Sequence, residues 1–223
     1  MANRLVGVPG ISAAQEAGFR RIWRGSDAAY LPGSFSIDAA TSRDPGNTGN
    51  VDTLRAGLLM GLRTADSQYA PSILGVTTNN EAAGSASIEA AAGVITELVR
   101  RVGATGTFNL TGPPAAAGTV VTETVTYSAA SGTTITVTAI TNAFVAGSFI
   151  QPTDGSQTPI SFIDEGYGIK VTDDNAASLD REFAPFPVAG TVDASQLINW
   201  PSDTSLRAWL EARLSNFILD HGF

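Results

Sequence analysis

Any reactive centre in this chain would have to be assembled from carboxylates, hydroxyls and guanidinium groups. There is no cysteine, a single histidine, His221, and a single lysine, Lys170. Disulfide frameworks, thiolate metal sites and cysteine nucleophiles are therefore excluded. A hydroxyl nucleophile would lack a base beside it. Paired carboxylates remain, since two acids flanking a glycosidic bond are enough for its hydrolysis. The candidates are Asp164–Glu165 and Asp173–Asp174. Neighbours on a strand point to opposite faces, so neither doublet forms a facing pair. Both fall where turns are expected and read as solvated turn acids. The run Asp173–Asp174–Asn175 lacks the spaced acids and distal glutamate of a calcium loop. Gly112 to Gly118 has the outline of a phosphate loop, but no lysine follows the second glycine. No catalytic, metal or cofactor site is expected.

The strongest interaction signal is Phe19–Arg20–Arg21–Ile22–Trp23–Arg24. Arginine and tryptophan are enriched at protein interfaces because each combines contact area with directional bonds. These six residues are the candidate contact set for a protein partner. The net charge of −8 is unevenly spread: residues 1–63 carry +2, residues 64–101 carry −2 and residues 102–223 carry −8. An acidic body argues against a nucleic-acid partner, because phosphate binding needs clustered Lys or Arg. No apolar run reaches the ~18 residues of a membrane span, and Gly7, Pro9 and Gly10 break the N-terminal apolar patch, so neither a membrane nor a secretory route is expected.

The elements that must hold these residues are mostly strands. Gly 23 and Pro 11 imply many turns and short segments. Residues 1–50 contain frequent breakers and read as an extended arm, with a short helix over Ala13–Arg24 weakened by Gly18. Phe19, Ile22, Trp23, Tyr30, Leu31 and Phe35 would cost free energy if left in water, so the arm should dock on something. Leu54–Leu62 and Tyr69–Thr77 read as a hairpin or two adjacent strands. Residues 88–102 have helical apolar spacing that ends at Gly103, with Arg100 and Arg101 suited to the helix C-terminus. Val120–Tyr127 and Thr133–Ile140 alternate β-branched residues around Ser131–Gly132, a hairpin signature. Further on, Tyr167–Thr172 reads as a strand and Phe183–Pro187 as a loop. Ser202 or Asp203 caps a helix over Thr204–Leu214, and Phe217–Leu219 closes the chain as a strand.

The ending Gly190–Thr191–Val192, Leu197, Trp200–Pro201, Asp203–Thr204 and Phe217–Ile218–Leu219 resembles that of the lambda-type phage head decoration proteins. Ile73–Leu74–Gly75–Val76, closing the first strand pair, is similar to a second motif of that family. The motif residues are Ile73, Leu74, Gly75, Gly190, Thr191, Trp200, Pro201 and Asp203. This chain is about twice as long as the compact members, and residues 79–159 separate the two matching parts.

The elements read from the residues make a mainly β, α+β protein with two short helices, on which the resemblance is laid. Its parts would be an N-terminal capsid-binding arm (1–50), a discontinuous decoration-protein-like core (51–78 and 160–223), and an insertion (79–159) of one helix plus a small, Thr-rich, β-sandwich-like unit. The resemblance implies a non-enzymatic virion protein, made in the host cytoplasm. As a homotrimer on the outer capsid surface, it would cement major capsid protein subunits at three-fold positions against DNA pressure. Two other readings stay open. The insertion around Phe108–Ile150 could be a glycan- or host-binding adhesion module, which exposed aromatic residues would favour; or Asp164, Glu165 and Asp173 could carry a hydrolase.

Overall fold

The computed structural model describes residues 20–30, 35–38, 42–113, 118–164, 166, 168–171, 181–184 and 187–221. Among them the chain forms β1 (Ala29–Tyr30), β2 (Phe35–Asp38), β3 (Thr53–Leu54), β4 (Leu59–Leu62), β5 (Tyr69–Pro71), β6 (Gly75–Val76) and β7 (Ser87–Glu89). Helix α1 (Ala92–Val102) follows, then β8 (Gly106–Gly112), β9 (Val121–Ser131), β10 (Thr134–Val137), β11 (Phe149–Gln151), β12 (Ser161–Phe162) and β13 (Ile169–Lys170). The chain continues through β14 (Arg181–Ala184), β15 (Pro187–Asp193), α2 (Thr204–Arg213) and β16 (Phe217–Asp220). The protein is mainly β with two helices, and none of its described helices is long and apolar enough to cross a membrane.

The Thr-rich region forms a six-stranded sheet in the order β6-β11-β8-β9-β10-β7. Its two outer strands approach each other through a Thr77–Ala90 bridge and the Thr78 N–H donating to the Glu89 carbonyl. The sheet therefore curls closed on itself, where two facing sheets were expected. Alternation explains the curl's filling: Phe108, Leu110, Val125, Tyr127 and Ile135 are buried, while Thr124, Thr126 and Thr136 stay exposed. Val94, Ile95 and Leu98 of α1 join the same core.

Helix α1 begins four residues later than the apolar spacing suggests. Ser87–Glu89 pair instead with β10, and Ile88 is buried from a strand. Gly103 ends the helix as expected. The Arg100–Arg101 pair lies in the last turn of the helix, as expected, and each also makes a specific ion pair. Arg100 pairs with Glu97. Arg101 is 1% exposed and reaches Asp154 at 2.9 Å and the Pro71 carbonyl at 2.6 Å, with Ser156 Oγ as a further partner. One buried guanidinium thus ties α1 to the 154–156 turn and to the end of β5.

The second core lies under β15 and α2: Ile22, Leu59, Phe149, Phe162, Val192, Leu206, Leu210 and Phe217. The predicted hairpin is present as β4 and β5, paired antiparallel. Asp203 caps α2, accepting from Ser205 N and Leu206 N at 2.9 Å each. Strand β16 then pairs in parallel with β15, which makes β15–α2–β16 a strand–helix–strand unit. Of Phe183–Pro187, expected as a loop, Phe183 and Ala184 end β14 and Pro187 begins β15, and the two residues between lie outside the described residues.

The division at residue 50 does not separate an arm from a body. Strand β2 lies inside the five-stranded sheet β12-β4-β5-β2-β14, and Ile37 is fully buried. Asp44 is 1% exposed and accepts two bonds from the Arg55 guanidinium, at 2.6 and 2.9 Å, and one from its backbone N–H at 3.2 Å. The insertion boundary is equally shared, since β11 pairs with β6 and Phe149 belongs to the second core. The expected helix over Ala13–Arg24 is replaced, over its described part, by extended chain bridged at Trp23 to Val192.

Candidate functional site

The arginine-tryptophan segment lies along β15. Trp23 bridges antiparallel to Val192, Arg24 N–H donates to the Thr191 carbonyl, and Asp193 N–H donates to the Ile22 carbonyl. Ile22 is 2% exposed. The Trp23 ring packs on Phe162, Tyr30 and Phe217, with centroids 5.4, 6.1 and 6.4 Å away. Its indole N–H donates to Asp164, as does the Tyr30 hydroxyl. Arg24 pairs with Asp193 at 3.0 Å and Asp220 at 3.4 Å. Of the expected contact set, Ile22 and Trp23 therefore build this chain's own core, and Arg24 pins its sheet. Arg21 stays exposed at a cleft of about 320 Å³ that also touches Trp23, Arg24, Asp193 and Gln196. Phe19 lies outside the described residues.

Asp164, raised as a possible catalytic acid, is occupied as the acceptor for Trp23 and Tyr30. Glu165, Asp173 and Asp174 lie outside the described residues. Among the described residues no three of His, Asp and Glu gather as a metal-ligand set. Phe108, Tyr127, Phe144 and Phe149, the aromatic rings of the 108–150 stretch, are all buried and offer no stacking platform.

The family-like residues fall in three places. Ile73 lies in the second core, Leu74 in the core shared with α1, and a side chain on Gly75 would overlap Val94 of α1. Gly190 and Thr191 lie on β15, with the Thr191 hydroxyl donating to Asp27 at 2.7 Å. That bond holds the exposed Asp27 carboxyl below its ordinary range. Trp200, Pro201 and Asp203 form the turn into α2 and stand between two clefts. The smaller, about 240 Å³, opens toward Val76, Pro113 and Val145–Gly147.

The larger cleft, about 590 Å³, is the feature the sequence did not announce. Arg20, Arg55 and Arg207 line it together with Gly46, Ser195, Trp200 and Ser202. Arg20 donates to the Gln196 carbonyl at 3.1 Å, and Arg207 to the Pro201 and Ser202 carbonyls at 2.7 and 3.0 Å. Burial lowers the Arg20 pKa, the neighbouring charge of Arg55 lowers it further, and Asp44 opposes both. These arginines come from positions 20, 55 and 207, so only folding brings them together.

Compared with known proteins, the chain matches no family model, no curated protein and no solved structure.

Proposed function

We propose that this chain is a structural virion protein of the head-decoration kind. In this reading it binds the outer surface of an icosahedral phage head as a homotrimer at three-fold positions, holding major capsid protein subunits against the pressure of packaged DNA. Its partners are the shell protein and itself, with no nucleic acid, membrane or cofactor involved.

One observation carries the reading: the order of elements at the C-terminal end. The Gly190–Thr191 strand, the Trp200–Pro201 turn, the Asp203-capped helix and the Phe217–Leu219 strand follow in the sequence the resemblance implies. They form one parallel strand–helix–strand unit. The N-terminal segment supports the same reading from Arg20 onward, because it runs along β15 of this unit. In this reading the residues before it are the shell-binding leader. Three such leaders on one trimer would convert weak contacts into strong attachment through effective concentration.

The test is co-sedimentation of the purified chain with expanded, undecorated heads, followed by locating it in electron density of the decorated particle. The full chain should bind at three-fold positions, and a variant lacking residues 1–19 should stay folded and lose attachment. Failure of the full chain to bind any head, or turnover of a substrate by the pure protein, would sink the reading.

A further inference from the structure

We propose that the open cleft lined by Trp200, Arg20, Arg55 and Arg207 is a docking site for a short acidic peptide segment of a partner chain, its carboxylates on the Arg20 and Arg207 guanidinium groups and its apolar atoms on the Trp200 ring.

Charge is the first reason. The chain carries 21 acids against 13 Lys and Arg, so a concentration of arginine at one cleft runs against the composition. Five other arginines sit on carboxylates: Arg24 on Asp193, Arg43 on Asp52, Arg63 on Asp66, Arg100 on Glu97 and Arg101 on Asp154, while Arg213 donates to the Trp209 carbonyl and stacks on its ring. At this cleft the carboxylate paired with an arginine is Asp44, which is buried against Arg55. Arg20 and Arg207 are held on neutral backbone carbonyls, which orient a guanidinium without cancelling its charge. The mutual repulsion of Arg20 and Arg55 is consistent with a site that gains from receiving an anion.

Shape and polarity are the second reason. A planar guanidinium fork matches a planar carboxylate. Half-buried Trp200 adds an aromatic surface of the kind that anchors peptide side chains. Among the described residues the Asn199 and Ser202 side chains have no hydrogen-bond partner and so can serve a ligand. Asn199 also holds a left-handed backbone, φ 61°, between the two clefts, a turn conformation that asparagine adopts readily. A long polyanion such as a nucleic-acid strand is disfavoured, because it would have to run on over a body of net charge −8. A short carboxylate segment meets only the cleft.

This site shares Arg20 with the segment expected to contact the shell, and the peptide-binding test below is read without heads, so either reading can hold without the other. The test is fluorescence anisotropy of fluorescein-labelled hexaglutamate with the full chain at low and raised salt. Binding that weakens with salt is expected. Ser202→Glu places a carboxylate in the cleft from an exposed position without removing any protein bond, and should weaken binding tenfold or more. Arg207→Gln should do the same, while Arg213→Gln, on the same helix but stacked on Trp209, should leave it unchanged. Equal binding by wild type and Ser202→Glu overturns the proposal. So does tighter binding of hexathymidylate with the same sensitivity, which would make the cleft a nucleic-acid site. Full competition by equimolar free glutarate would reduce it to a simple anion site. A shift in oligomeric state of Ser202→Glu by sedimentation would put a second copy of this chain in the cleft.

Discussion

The Trp23 ring occupies the space that a side chain at position 190 would need. A Cβ on Gly190 would stand 2.5 Å from Trp23 Cζ3 and 3.1 Å from the Ala28 Cα, and the Gly190 backbone has φ 142°. The glycine of the Gly190–Thr191 motif is thus explained by a residue 167 positions earlier. It leaves room for the indole that closes the second core and bonds to Asp164.

Gly190→Ala should therefore destabilise the protein by about 2 kcal/mol, from overpacking together with backbone strain. For a chain of this size that corresponds to a fall in Tm of roughly 4–8 °C. Scanning calorimetry checks it, and an unchanged Tm would mean that the ring moves aside at no cost.

Arg101 and Asp154 make stability depend on acid. Burial alone would raise the Asp154 pKa, but the Arg101 charge and the Ser156 bonds outweigh it and hold the carboxyl below its ordinary value. Its contribution is complete above the unfolded pKa of about 3.9 and is lost as pH falls through the lower folded value. Asp154→Asn should remove that part of the acid dependence. At neutral pH it should cost roughly 3 kcal/mol, because the buried Arg101 charge loses its counterion. Urea midpoints measured between acid and neutral pH would show both effects; parallel curves for the two proteins would refute them.

Removal of residues 1–50 should abolish the fold, whereas removal of residues 1–19 should preserve it. The longer deletion takes Ile22, Trp23, Ile37 and Asp44 from the interior and leaves Arg55 without its carboxylate. Near-UV circular dichroism distinguishes the cases. A native-like spectrum from the 1–50 deletion would show that the N-terminal strands are dispensable.

Asp203→Ala should cost about 1 kcal/mol through loss of the α2 cap. Asp203→Ser should recover most of it, since serine also caps. Chemical denaturation of the three proteins tests this, with equal stabilities contradicting a capping role.

The short-range features were readable from the residues. β-branched alternation about Ser131–Gly132 specifies the β9–β10 hairpin, because that pattern sends alternate side chains to opposite faces. Asp203 before an apolar helical stripe specifies the start of α2, and Gly103 the end of α1. The early start expected for α1 failed for a definable reason. Ile88 satisfies helical spacing and strand alternation equally well, and β10 supplied hydrogen bonds that a lone helix turn could not match.

The chain by itself determined its mainly β character, its hairpins and its helix ends, since these depend on side chains within a few residues of one another. Tertiary structure alone decided that Trp23 is core, that Asp164 is its acceptor 141 positions away, and that Arg101 is buried on the 154–156 turn. It also decided that Arg20, Arg55 and Arg207 share a cleft. The physical reason is burial. An arginine or tryptophan in the sequence reads the same whether it meets solvent, a partner or its own chain, and only the packing of distant strands selects among them.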